Sequence, residues 1–588
     1  MRLAELSQLV LSTGARVASG VTTDASLAAD HTFDYIVVGG GLAGMTVASR
    51  LSEDENLSVL VIEAGRDDRT NPLVYDLYQY GQVWGSDLLW RWSTDQGRVI
   101  YGGQTLGGSS SIHGATWTTG SAAQYDAWTS LLEPSEADLG WNWANLSSYI
   151  RQAETFTPPS DDQRANGADY TEKYHGTSGP VPVAFPAGMF GGPHQKYFQQ
   201  TVSNLTGIAL SPDGSGGDPN SVSITPSSID PNDSDHRASS ASSYLTPVEG
   251  KRDNWLVLAT HLVTEVLFDG TDIPVTATGV KFRKTDKTGD TFTAYARREV
   301  ILAAGAIKTP VLLQQSGIGD PAHLASVGVD CIVNITTVGR NLQEQTMSQI
   351  GADGNGEKPT GKGPNNVIAY PSLDQLFGDK ADDARHRITS SIKTWADSQA
   401  NNGLSSDALQ TIMQTQADYI LNHNGKDVSV LVWTLLPFSR GAVKITSTDP
   451  FVNPNVTVNF FSVDFDMQMQ IESARLARRI LSSLPLSSLT TQETEPGNDV
   501  PGGNDATDAA WEGWIRWKFN TVSHPIGTAA MMRRSLGGVV DGKLRVYDTT
   551  NLRVVDASIM PLQVSAHLQS TLYGVGEKAA ALIKADVK

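Results

Sequence analysis

The chain is poor in sulfur and in positive charge. One cysteine, Cys331, stands among 588 residues. A single thiol excludes an intramolecular disulfide and a structural zinc site of the multi-cysteine kind. Only 44 Lys and Arg face 63 Asp and Glu, a net charge of −19, with a pI near 5.0. Nucleic acid and anionic membrane surfaces would repel such a chain, so neither is expected as a partner. No apolar run is long enough to span a bilayer. Residues 1–20 contain Leu9-Val10-Leu11, but Glu5 and Gln8 interrupt the run, which makes a poor secretory core. N-x-S/T triplets at Asn56, Asn145, Asn204, Asn232, Asn334 and Asn455 favour a secreted glycoprotein. The lack of disulfides weighs the other way.

What is present starts with Gly39-Gly40-Gly41-Leu42-Ala43-Gly44. The run Tyr35-Ile36-Val37-Val38 precedes it, a helical pattern through Val47, Ala48 and Leu51 follows, and a second apolar run, Val59 to Ile62, ends in Glu63. This predicts a βαβ unit with Gly39, Gly41 and Gly44 at G-x-G-x-x-G spacing, the grip on a dinucleotide pyrophosphate. The helix N-terminus offers N–H groups to phosphate. Glu63, ending the second strand, is placed to accept from a ribose. The motif alone leaves FAD and a nicotinamide dinucleotide open.

At 63.0 kDa the chain is long enough for two domains. Residues 211–235, rich in Ser, Asp, Pro and Gly, read as loop, as does the glycine-rich stretch 351–365. Residues 374–424 read as helical. Strands are expected at Trp255–Leu258, Glu299–Leu302, Ala442–Ile445 and Leu552–Val555. A last helix after His567 follows from the spacing of Leu568, Leu572, Val575, Ala579 and Ile583, with Lys584 and Lys588 at its end.

Two further segments are specific. Tyr101-Gly102-Gly103-Gln104-Thr105-Leu106-Gly107-Gly108-Ser109-Ser110-Ser111-Ile112-His113-Gly114 resembles the first signature of the glucose–methanol–choline (GMC) flavoprotein oxidoreductases. The segment from Gly305-Ala306-Ile307-Lys308-Thr309-Pro310 to Ser316-Gly317-Ile318-Gly319 resembles the second. Segments 338–343, 524–529, 538–541 and 555–558 are in the same style, so the likeness runs nearly the whole chain. Within the family, residues from His524 onward are most similar to FAD-dependent glucose dehydrogenases and glucose oxidases.

The resemblance implies an α/β fold: a Rossmann-like FAD-binding domain (residues 30–145, 235–335 and 510–588) and a substrate domain built on an antiparallel sheet flanked by helices (146–234 and 336–509). It implies FAD as cofactor, held by Gly39, Gly41, Leu42, Ala43, Gly44, Glu63, Ala64, Gly107, Gly108, Ser109, His113, Gly114, Val263, Ala304, Gly305, Asp556, Ala557, Leu568 and Ser570. The family's active-site histidines fall on His524, assigned as base, and His567, assigned as partner to the substrate oxygen; the two could share the proton. A positioned base is worth roughly 10²–10⁴-fold. The histidine that binds FAD covalently in some relatives falls on Ile112, so non-covalent FAD is expected, with His113 bonding near the isoalloxazine.

The chain also departs from its relatives. The Arg and Asn that hold glucose hydroxyls there fall on Asn520 and Val522, beside Ser523, and a missing donor weakens selection for free glucose. The segment before Trp433 is short, with Asp427 in place of an orienting glutamate. Trp433 then reads as a stacking face for sugar or as plain core. The expected substrate is a gluco-oligosaccharide oxidised at its reducing end to a lactone, with a quinone-type small-molecule acceptor. A hydrogen-peroxide-producing oxidase, an aryl-alcohol enzyme and an FAD-scaffolded lyase are the rivals. No metal is expected.

Overall fold

A computed structural model describes residues 19–586 apart from 359, 365, 402 and 423–430. The leader reading of residues 1–18, His423, Asp427 and Lys588 lie outside the described residues.

Val- and Ile-rich runs buried on both faces make parallel strands at the middle of a sheet. Thr32–Val38 and Val59–Ile62 are such runs, and the helix Leu42–Leu51 joins them. The sheet order is Gly20–Thr22, Trp255–Leu258, Val59–Ile62, Thr32–Val38, Phe292–Leu302, Val275–Lys284, His261–Asp269. The first five run parallel; the last two add an antiparallel edge. Phe292–Leu302 serves twice on one side: its start pairs with Val275–Lys284, and its end pairs in parallel with Leu552–Val554. Ile62, Val38 and Leu302 are in register, so the chain turns off three adjacent strands at one level. Ligands bind at that carboxyl edge in open α/β sheets.

The remaining sheets are small. Thr346–Gln349 pairs antiparallel with Leu431–Thr434 on one side and Asn520–Thr521 on the other, with Met347 opposite both Trp433 and Asn520. Helix Asp464–Leu481 backs this sheet, and its Gln470 side chain bonds Thr346, Ser348 and Thr434. A second trio joins Arg340–Leu342, Gly441–Lys444 and Asn455–Thr457. The expected antiparallel pairing outside the Rossmann-like sheet is present, spread over several short sheets.

The helical reading of 374–424 resolves into Leu373–Phe377, Ala381–Gln399 and Ser406–Asn422. The loop reading of 211–235 misses the strand Val222–Thr225, all four residues buried, which pairs with Asn366–Ala369. Its one serine and one threonine hide the two apolar positions. Gly351–Gly354 likewise pairs with Thr490–Glu495. The helix Trp143–Ala153 spans the expected boundary at 145/146 and packs on the last helix, Gln569–Asp586. A Cβ on Gly574 would come within 2.7 Å of Ile150. The last helix also lies on the first: Arg50 grips Glu577 through three N–H···O contacts of 2.8–3.0 Å.

Candidate active site and cofactor cradle

A cavity of about 1030 Å³ opens at the carboxyl edge of the sheet. Its wall includes Gly39, Gly41, Leu42, Ala43, Glu63, Ala64, Gly108, Ser109, His113, Gly114, Val263, Ala304, Gly305, Asp556, Ala557 and Leu568, together with Trp433, Asn520, Val522, Ser523, His524 and His567. Gly44, Gly107 and Ser570 are not among the lining residues. Gly44 sits where a Cβ would strike the Gly39 carbonyl at 2.1 Å, which lets the helix press on the strand; Ser570 donates to the Thr118 carbonyl.

The glycines have separable reasons. Gly39 holds φ +104, and a Cβ there would meet the Ala303 carbonyl at 2.5 Å. At Gly41 a Cβ would meet nothing nearer than Gly108 at 3.9 Å. Its bareness therefore serves the cavity, leaving room for a group to reach the first-turn amides of helix Leu42–Leu51. The Glu63 carboxylate accepts from Gly40 N and Gly65 N, both at 2.7 Å, and burial pushes its pKa up to about 7. Asp556 ties another stretch of the wall, accepting from Gly305 N at 2.9 Å and Thr309 Oγ1 at 2.6 Å; burial raises it too. This open cradle with its amides fits a dinucleotide. Glu63, the glycine loop, Val263 and Asp556 would hold FAD, whose isoalloxazine supplies hydride-accepting chemistry when bound.

His524 and His567 face each other, with ring centroids 6.0 Å apart and planes at 79°. Gln345 Nε2 donates to the Leu435 carbonyl at 3.0 Å, which turns its Oε1 toward His524 Nδ1 at 2.8 Å. Nδ1 therefore carries the proton, and Nε2 offers a lone pair. Behind His567, Thr118 Oγ1 lies 3.2 Å from Nδ1 and accepts from the His567 amide at 2.9 Å. Burial pushes His524 down to about 3, with His567 adding to the shift, and pushes His567 down to about 4. Two neutral imidazoles meet at neutral pH.

Trp433 is half-buried, with its ring 5.0 Å from His567 and 5.8 Å from His524. Its indole Nε1 is enclosed and has no hydrogen-bond partner. Trp433 therefore belongs to the cavity wall as well as packing on the core.

His113 Nδ1 accepts from Ala115 N at 3.0 Å and Arg237 Nη1 at 3.1 Å, so its proton is on Nε2, which is buried and unpartnered. His175, which does not line this cavity, is a buried group bonded to Glu154 at 2.8 Å and Asp213 at 2.9 Å. Sequence reasoning missed Gln345, Thr118 and Arg237. Gln345 lies two residues beyond the 338–343 segment, and Thr118 follows His113 by five. Arg237 carried no signal. Among the described residues no cluster of three or more His, Cys, Asp or Glu side chains could hold a metal, and no helix is long and apolar enough to cross a membrane.

Comparison with known proteins agrees with this geometry. Sequence profiles of the GMC oxidoreductase family match residues 33–347 and 437–576. The chain is 34% identical to a glucose oxidase of Aspergillus carbonarius, over 99% of this chain and 97% of that one. It is 32% identical to glucose oxidase 2 of Penicillium expansum, over 97% and 95%. An FAD-dependent oxidoreductase from Chaetomium thermophilum superposes with TM-score 0.84 at 28% identity, covering 94% of this chain and 99% of the other. A fungal aryl-alcohol oxidase gives TM-score 0.82 at 26% identity, with the same two coverages. With its dinucleotide cradle and facing imidazoles, the chain belongs to the GMC oxidoreductase family and is an FAD-dependent oxidoreductase acting on CH–OH donors.

Proposed function

We propose that this enzyme oxidises the anomeric C1 hydroxyl of a reducing-end gluco-oligosaccharide to a lactone and passes the electrons to a quinone-type acceptor. The observation that carries the reading is the pair of imidazoles with a fixed tautomer: Gln345 holds the His524 Nδ1–H, so Nε2 is the base that takes the hydroxyl proton. His567 steadies the substrate oxygen from across the gap. Bound FAD supplies the acceptor for the hydride leaving C1.

The wall around the pair supports a sugar longer than glucose. Val522 offers no hydrogen-bonding group to a hydroxyl. Trp433, Tyr80, Trp84 and Tyr101 instead supply flat faces, and Trp84 is 39% exposed. The enclosed Trp433 Nε1–H is a donor awaiting a hydroxyl. All six N-x-S/T asparagines are exposed, in keeping with a secreted glycoprotein.

An oxidase reading is favoured by the names of the relatives, and an aryl-alcohol reading by the aromatic wall and the likeness to an aryl-alcohol oxidase. Anaerobic titration of the flavin band with glucose, cello- and laminari-oligosaccharides and an aryl alcohol decides between them. Oligosaccharides are expected to bleach the band faster than glucose, with quinone restoring it faster than air. Faster bleaching by glucose or the aryl alcohol overturns the substrate reading, and stoichiometric hydrogen peroxide in air overturns the acceptor.

A further inference from the structure

Arg237 is 4% exposed, yet no carboxylate lies within ion-pair distance of it among the described residues. Its Nε donates to the Val74 carbonyl at 2.8 Å, and its Nη1 to His113 Nδ1 at 3.1 Å and the Ser110 carbonyl at 3.4 Å. Nη2 is buried without a partner. The nearby phenols Tyr80 and Tyr573 are raised by burial and are neutral. Arginine keeps its charge in such surroundings. Burying an unpaired cation is disfavoured, so the place calls for a counter-charge.

The other end of this contact faces the cavity. Because Nδ1 of His113 accepts from two donors, its Nε2 bears the proton and stands at the wall with no acceptor. His113, His524 and His567 all line the same cavity. Two unmatched donors, one of them cationic, thus belong to His113 at that wall and to Arg237 behind it.

We infer that Arg237 is a positioning residue for the cofactor. Through His113 it presents a fixed N–H to the flavin ring, and its uncompensated charge favours the negative charge the ring takes up on reduction. The inference rests on the reading above that the ring lies at the histidine end.

Arg237→Met, Arg237→Lys and His113→Leu, each carrying FAD, are compared with wild type by spectroelectrochemical midpoint potential. Each is also titrated with sulfite, an anionic probe that bleaches the flavin band. Arg237→Met and His113→Leu are expected to lower the potential by at least about 30 mV, one tenfold step for a two-electron couple, and to weaken sulfite binding at least tenfold. Arg237→Lys should recover part of both. If Arg237 is only a clip between segments, melting temperature or flavin content falls while bound flavin keeps the wild-type potential and sulfite affinity; that result overturns the inference. Should Arg237→Met fail to fold, His113→Leu decides on the same two readouts. Neither readout needs substrate, so unchanged potentials sink this inference, whereas a wild-type flavin that no sugar or alcohol bleaches sinks the proposed function.

Discussion

Gln345 Oε1 stands 2.8 Å from His524 Nδ1, and the Leu435 carbonyl holds the other end of that amide. The contact settles which nitrogen of His524 is free. Gln345→Leu keeps the approximate volume but removes the acceptor, leaving an enclosed N–H unsatisfied. A fall in kcat of about 10- to 100-fold is expected, up to the lower end of the roughly 10²–10⁴-fold that a positioned base contributes, since the base is misoriented and not removed. Rapid-mixing reduction of the flavin checks it, with melting temperature showing that the fold is intact.

The same imidazole sets a pH profile. Burial holds His524 at about 3, so the neutral form that the proposed mechanism needs persists far below 6.5. The value of kcat/KM for flavin reduction should stay flat from pH 8 to about 5, where an imidazole with an ordinary pKa near 6.5 would already have lost more than tenfold. The stability contribution has matching sign. A folded pKa below the unfolded one makes stability present above about 6.5, and it is lost as pH falls toward 3. Thermal melts from pH 7 to 4 should show it.

Gly44 and Gly41 should separate folding from cofactor binding. Gly44→Ala drives a methyl into the Gly39 carbonyl and is expected to cost about 1–3 kcal/mol or more. Gly41→Ala meets only open cavity, so its melting curve without cofactor should match wild type while its flavin content collapses. Absorbance ratios and melts on both variants provide the check.

His175 lies between Glu154 and Asp213, and these two carboxylates hold it as imidazolium up to about 9 against the cost of burial. A folded pKa raised from 6.5 contributes stability that is fully present below 6.5 and lost as pH rises through 9. The contribution is on the order of 3 kcal/mol, from about 2.5 units at 1.36 kcal/mol each. Denaturant melts at pH 7 and 9.5 should differ in this direction, and His175→Gln should abolish the difference.

Trp433→Phe keeps a ring against both histidines but deletes the unpartnered N–H. One hydrogen bond of about 1 kcal/mol predicts a KM raised roughly fivefold, with kcat little changed. Steady-state kinetics with a gluco-oligosaccharide measures it.

The first βαβ unit, the strands 255–258, 299–302 and 552–555 and the last helix were legible because their apolar runs and glycine spacings are local. The motifs around His524 and His567 also singled out two imidazoles that the fold brings face to face. The strand Val222–Thr225 was not, since its partner Asn366–Ala369 lies far along the chain and its own composition is that of a loop. The supports behind the two histidines were equally hidden. Gln345 and Thr118 act across 179 and 449 residues of sequence, so nothing near either imidazole announces them. Arg237 is the extreme case, a charge with no motif around it that is enclosed in the fold.

The grip of Arg50 on Glu577 has a consequence for biogenesis. The cradle's first helix leaves the ribosome more than five hundred residues before the carboxylate that clasps it. A nascent chain therefore carries this helix without its clasp until the last helix has been made.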